Sequence, residues 1–243
     1  MKSRYKLDRA LGLDHFITDI QGIGGRLRAN AEDFEVEELP LSVPVEHPGD
    51  FTHFTLEKRN WETMGAIKAI ARALGVSRKR FGYAGNKDKR AVTRQRVSVW
   101  RVEPEQLGGI MIKDIKLYDF VKSNSRLSLG DSRGNSFRVV IRDVQLGGVE
   151  LENELAETCE QMMERCVPNY FGYQRFGISR PNTHLVGREL IRGSLEGAVM
   201  RYLGGPYDTE DRESRRARQY IEETRDYRGA LELYPKKLGY ERS

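Results

Sequence analysis

The chain has 243 residues, 38% of them hydrophobic and 32% charged; the charged share exceeds the globular average of about 25%, yet the apolar residues are patterned well enough to build a core. Lysine and arginine outnumber aspartate and glutamate 41 to 36, a basic balance that suits a phosphate-rich partner without requiring one. No apolar run approaches the roughly 18 residues of a membrane span, and the N-terminus, Met1-Lys-Ser-Arg-Tyr-Lys, lacks the apolar core of a signal peptide.

In chain order, Phe34 and Val36 alternate with carboxylates across Glu32–Glu38, the period of a strand with one wet face. Phe51–Lys58 reads as a second strand. Met64, Ile67, Ala71 and Leu74 recur at helical spacing from Trp61 onward, with Gly75 as the stop. Residues 80–102 read as strand, loop, strand, the loop Gly85–Lys89 separating Phe81-Gly-Tyr from Arg96–Val102. Residues 115–144 continue in strands, with a turn at 130–135. In the strand that follows it, Phe137, Val139 and Ile141 share one face and suit burial.

Leu151–Cys166 is a helix. Its Cys159 and Cys166 lie on one face, too far apart along the axis to bond to each other. Two reduced, half-buried thiols point to the cytoplasm. The aromatic loop Val167–Gly177 contains Pro168 and two glycines and reads as a rigid packed support. Mostly helical signals follow, and the stretch 209–228, dense in both charge signs, reads as a solvated helix. Strands and helices mix without regular alternation. This predicts an α+β fold with a mixed, mainly antiparallel sheet and flanking helices.

The loop at 85–95 carries the strongest chemical signal. Asp88 sits between Lys87 and Lys89, with Arg90 behind. A carboxylate among cations is held in its charged form, suited to act as a nucleophile or charge stabiliser. The same residues also read as an ordinary charged turn in water. His15, His47, His53 and His184 show no metal spacing, and the carboxylates of 32–38 fit a strand's wet face better than a cation site.

The run Ala84-Gly-Asn-Lys-Asp-Lys-Arg-Ala-Val-Thr-Arg-Gln95 resembles the signature A/G-G-x-K-D-[RK]-x-A-x-T-x-Q of the TruD family of tRNA pseudouridine synthases. Arg28-Ala-Asn-Ala-Glu-Asp-Phe34 is similar to the family's [KR]-x-N-x-E-D-F, and Gly134-Asn-Ser-Phe137 to its G-N-x-F. Val167-Pro-Asn-Tyr-Phe-Gly-Tyr-Gln-Arg-Phe-Gly177 resembles its V-P-N-Y-F-G-x-Q-R-F-G. Four blocks in family order span residues 28–177.

The resemblance implies a pseudouridine synthase-like catalytic domain that isomerises uridine to pseudouridine in tRNA, with uridine 13 the family's target. The N1–C1′ bond breaks, the base turns, and it rejoins through C5, with neither cofactor nor metal. Asp88 is the implied catalytic residue, by attack at C1′ or by elimination at C2′, with Arg28 paired to it. A uridine drawn from its stack needs a pocket. Phe34 and Phe137 would cover the base, Asn135 would bond its Watson–Crick edge, and Lys87 would lie against the substrate. On the residues alone, Phe34 and Phe137 equally suit strand cores, Arg28 a surface position and Asn135 a turn. The resemblance further implies a catalytic portion over residues 1–178 and the start of a mostly helical insertion domain over 179–243. Relatives are longer, so a returning segment with a further aromatic is expected beyond Ser243. The alternative is a tRNA-binding protein or RNA chaperone without catalysis.

Overall fold

The structure is a computed structural model describing residues 1–41, 47–177, 180–239 and 241. Outside them lie residues 178 and 179, at the expected domain boundary, and 240, 242 and 243, at the end of the expected insertion segment. The Tyr173 side chain in the aromatic loop is also outside the description.

In chain order the elements begin with α1 (Lys6–Ala10), β1 (Arg26–Leu27), β2 (Phe34–Pro40), β3 (Phe51–Arg59), α2 (Thr63–Ala73), β4 (Phe81–Tyr83), β5 (Val92–Trp100) and α3 (Pro104–Gly108). They continue with β6 (Ile115–Ser123), β7 (Ser132–Val139), β8 (Ile141–Arg142), α4 (Gly148–Arg165) and α5 (Tyr173–Phe176). α6 (Thr183–Ile191), α7 (Leu195–Leu203), α8 (Arg212–Thr224) and α9 (Tyr227–Leu233) follow. Residues 21–157 form one compact unit; residues 1–20 and 158–243 form the other.

The first unit is built on a sheet with strand order β6-β3-β5-β2-β7, with β4 also paired to β5. Only β2 and β5 run parallel; the remaining pairs are antiparallel. The fold is therefore α+β with a mixed, mainly antiparallel sheet and flanking helices, as the sequence predicts. Residues facing each other across a ladder point to the same side. The register Phe54↔Val97, Leu56↔Gln95, Lys58↔Thr93 thus defines an inner face. In its middle Phe54, Leu56, Val97 and Val99 are buried beneath Ala66, Ile67, Ile70 and Ala71 of α2. Each large side chain removed from water there contributes about 1.5–3 kcal/mol. Toward β2 the same face turns polar, with Glu38, Lys58, Thr93 and Gln95 all buried.

Several elements differ from expectation. β5 starts at Val92 because its ladder with β3 continues to Arg59↔Val92. The turn expected over 130–135 ends at Asp131; Asn135 lies within β7, opposite Glu38. Phe137 and Val139 are exposed rather than buried, because β7 is the edge strand beyond β2 and no described residue covers that face; Ile141 is exposed too, but lies in β8, which pairs with β1 in a separate ladder. α4 ends at Arg165 and Cys166 takes a left-handed conformation, so the two thiols do not share a helix; both are exposed.

In the second unit the charge-dense stretch is not simply solvated. α8 buries Ala217, Arg218 and Ile221 against Ala230 and Tyr234. The buried Arg218 guanidinium is bonded to Glu210 (2.7 Å), Glu241 (2.8 Å) and the Leu203 carbonyl (2.9 Å), as a buried charge must be. Tyr170 and Phe171 of the aromatic loop are exposed, not packed as a support. The first twenty residues join this unit because Arg165 donates to the Ile17 carbonyl at 2.7 Å and the Asp19 amide donates to Gln161 at 2.8 Å. No described helix is long and apolar enough to cross a membrane.

Gly82 sits where a Cβ would overlap the Leu127 carbonyl oxygen, because the segment 126–129 passes directly over β4. Gly82→Ala is expected to destabilise this unit by about 1–3 kcal/mol, the range for forced overpacking. Denaturant unfolding checks it; an unchanged midpoint would mean the crossing segment yields freely.

Candidate active site

Two parts of the sheet unit converge on Asp88. The first is the turn before β2. Asp33 is buried, accepts the Asn30 amide at 2.8 Å and pairs with Arg142 at 2.7 Å. Hydrogen bonds from Arg142 hold its carboxyl below the ordinary aspartate value. This knot fixes the chain between Arg28 and Phe34. Arg28 has φ 53°, a left-handed conformation unusual for arginine. Its guanidinium lies over the Phe34 ring, 3.7 Å from the centroid, and donates from Nη2 to Asp88 Oδ1 at 2.8 Å. The side chains of Arg28 and Asp88 are 34% and 39% exposed. At that exposure the pair is worth about 0–1 kcal/mol, so it orients more than it stabilises.

The second part is the loop from Ala84 to Ala91, fastened to the polar end of the inner face. Lys58, fully buried on β3, donates from Nζ to the carbonyls of Trp61 (2.7 Å), Asp88 (2.8 Å) and Lys87 (3.4 Å). Three N–H groups meet three acceptors, which uses the whole ammonium. Thr63 Oγ1, at the start of α2, accepts the Lys87 amide at 2.9 Å and donates to Gln95 Oε1 at 3.0 Å. Gln95 Nε2 then donates to the Gly85 carbonyl at 3.0 Å. Lys87 Nζ lies 2.7 Å from Glu38 Oε2, with the two side chains 6% and 1% exposed.

The structure thus brings Asp88, Arg28 and Phe34 into contact. Phe137 meets Phe34 edge-on, with ring centroids 6.0 Å apart, and is 57% exposed. Asn135, two residues before it and on the same face, is exposed and makes no side-chain hydrogen bond among the described residues. Lys87 points the other way, into the protein and onto Glu38. Sequence reasoning missed Glu38, Lys58, Thr63 and Gln95. A signal existed for two of them: Glu38 continues the phase of Phe34 and Val36, and Lys58 that of Phe54 and Leu56, so each is a charge on an apolar phase. Among the described residues no group of three or more His, Cys, Asp and Glu side chains is placed to hold a metal.

Comparison with known proteins places the chain in a family. The family model for tRNA pseudouridine synthase D (TruD) matches residues 10–243. A "Probable tRNA pseudouridine synthase D" of Methanococcoides burtonii is 41% identical over 238 residues, covering 98% of this chain and 54% of that protein. A "Probable tRNA pseudouridine synthase D 1" of Methanocaldococcus jannaschii is 42% identical over 245 residues, covering 96% of this chain and 61% of its own. A crystal structure from Methanosarcina mazei described under the same family name superposes with a TM-score of 0.85 at 37% identity, covering 96% of this chain and 54% of that one. The chain spans about half the length of the curated relatives it matches.

Burial pushes the Lys58 ammonium down from 10.5 to about 8, against the pull of the Asp88 carboxylate. Between those values the folded protein has released a proton that the unfolded chain still holds. The contribution of Lys58 to stability therefore rises with pH across that window. Wild type is expected to gain on Lys58→Met by up to about 3 kcal/mol between the two ends of the window. Denaturant unfolding of both proteins at about pH 7.5 and 10.5 checks this; a constant gap would show that Lys58 does not titrate there.

Proposed function

The chain belongs to the tRNA pseudouridine synthase D family, and on that premise we propose that the protein of which it is a part isomerises uridine to pseudouridine in tRNA, with Asp88 as the catalytic residue. The observation that carries this is the Arg28–Asp88 pair, with Arg28 seated on Phe34 and Phe137 edge-on to that ring, on a loop fixed from beneath. Such a site has a charged group for the sugar and an aromatic surface for the base, and both are in place before substrate arrives.

The reaction is balanced without an outside reagent. The N1–C1′ bond breaks, a C5–C1′ bond forms, N1 gains a proton and C5 releases one. Asp88 acts at the sugar, either by attack at C1′ or by taking the C2′ proton. Arg28 holds the carboxylate aimed. One face of Phe34 is taken by the Arg28 guanidinium, so Phe34 serves chiefly as the seat of that arginine. Phe137, with its ring open, is the better surface for the flipped base, at about 1–3 kcal/mol for stacking. Asn135 beside it offers the amide for the base edge. Lys87 is assigned to holding the loop rather than to the substrate, because its ammonium is committed to Glu38. Uridine 13 is the position the family resemblance implies. Residues 179–243 are proposed to begin an insertion domain.

Two variants of the full-length protein test these roles. Asp88→Asn is expected to lower pseudouridine formation by at least about 10³-fold while tRNA binding stays within a few fold of wild type. Tritium release from C5-labelled uridine in tRNA measures it, and release at the wild-type rate would remove Asp88 from the chemistry. Phe137→Ala is expected to weaken turnover by roughly 10-fold or more, the equivalent of about 1–3 kcal/mol of lost stacking. An unchanged kcat/KM would return Phe137 to a scaffold role.

A further inference from the structure

A groove of about 640 Å³ opens beside the candidate active site, between α2, β4 and the segment 126–129. Its floor is apolar and aromatic, from Met64, Tyr83 and Leu129; Leu129 is 80% exposed. Its rim carries Arg78, Lys79 and Arg126, and no carboxylate is among its lining residues. Asp131, close by in sequence, is turned to the Ser128 amide, which donates to it at 2.7 Å. The other described clefts differ in this respect. One in the helical unit is lined by Glu189, Glu196 and Glu222 among its cations, and one on the sheet by Glu37, Glu38 and Asp119.

The groove is built into the fold. Gly82 is required for the 126–129 segment to cross β4. Arg126 Nη2 donates to the carbonyls of Phe81 (2.6 Å) and Lys79 (3.1 Å), which holds its charge at the rim. Arg78 and Lys79 are exposed and make no ion pair among the described residues. β4 runs directly into the Asp88 loop, and the Gly130 amide donates to the Ala84 carbonyl at 2.9 Å. Tyr83 precedes Asp88 by five residues, so the two are at most about 17 Å apart.

We propose that this groove binds single-stranded RNA flanking the target uridine, its rim cations taking backbone phosphates and its floor taking an unstacked base. The proposal rests on the RNA-acting reading of the Asp88 site. Its chemistry separates single strand from duplex: a helix offers phosphates and a shallow minor groove, whereas only splayed nucleotides present a flat face to an apolar floor. Charge separates it from an apolar peptide, which would offer no anion to the Arg78, Lys79 and Arg126 cations at the rim.

The test uses the full-length protein with Arg78→Gln and Lys79→Gln combined, two exposed changes outside the catalytic cluster. Fluorescence anisotropy gives tRNA affinity across a salt series, and tritium release gives kcat and KM. Two lost phosphate contacts on a single strand are expected to make the slope of log K against log salt shallower by about 1.4 and to raise Kd roughly 25-fold near 0.1 M salt. KM should rise in step, with kcat at saturating tRNA unchanged. RNA carrying 4-thiouridine beside the target should photocrosslink to peptides containing Met64, Tyr83 or Leu129. Wild-type affinity and slope in the variant, with crosslinks only elsewhere, would overturn the proposal and leave the groove to another part of the protein. If wild type binds tRNA but forms no pseudouridine, the catalytic reading fails while the affinity and slope still decide the groove.

Discussion

The arrangement around Asp88 depends on placing charge where a sheet normally buries hydrocarbon. Lys58 and Glu38 occupy inner-face positions continuous with Phe54, Leu56 and Val36, and both are buried. Each is tolerable only because it is engaged, Lys58 by hydrogen bonds to three carbonyls and Glu38 by its ion pair with Lys87 and the Arg96 amide. The partners of these charges are mostly in one place, the loop Ala84–Ala91. Folding of the sheet therefore compels the loop to close over it, because an open loop would leave a buried ammonium and a buried carboxylate unpaired. Breaking a buried pair costs about 3–5 kcal/mol, against about 0–1 kcal/mol for a half-exposed one such as Arg28–Asp88. The strong interactions fix the backbone, and the weak one is left at the surface where a substrate can compete with it.

This division of labour explains why neighbouring residues of one loop differ so much. Lys87 and Asp88 are adjacent, and their side chains point to opposite sides. Lys87 is spent inward on Glu38. Asp88 is turned outward to Arg28, with its own carbonyl held by Lys58. Arg28 reaches it from a left-handed backbone, at a cost of about 1–3 kcal/mol that the Asp33–Arg142 knot nearby is placed to sustain. Strain, exposure and an ionised pair thus coincide at one point, while the tight packing lies beneath it.

Much of this was legible in the residues. Period-two alternation located β2 and β3, helical spacing located α2, and the ordered blocks singled out Arg28, Phe34, Asp88, Asn135 and Phe137. What the sequence hid depended on partners distant along the chain. Lys58 looks like the polar end of a strand until its three acceptors, around Trp61 and Asp88, are brought back over it. Phe137 and Val139 have the period of a buried face but lie on an edge strand, and Ile141 in the same period passes to a separate two-stranded ladder; strand order is not written in local periodicity. The run Arg212–Thr224 looks fully solvated by composition, yet Arg218 is buried because Glu210, Glu241 and two helix-end carbonyls converge on it. In each case the local pattern was read correctly for one strand or helix, and the outcome was decided by which other element packed against it.

The open edge of the sheet follows from the same logic. β7 pairs with β2 through a full ladder, but no described strand pairs its far side, and Asn135, Phe137 and Val139 stand exposed along it. Exposed apolar residues on an edge strand are a liability unless something uses them. Here the aromatic surface next to the Arg28–Asp88 pair is a part of the inner face left exposed among the described residues. A base drawn out of an RNA strand would complete the layer that the protein leaves unfinished, covering Phe137 on one side and meeting Asp88 at its sugar. On the proposed function, the missing cover of an edge strand becomes the binding surface, beside the carboxylate that the buried charges hold in place.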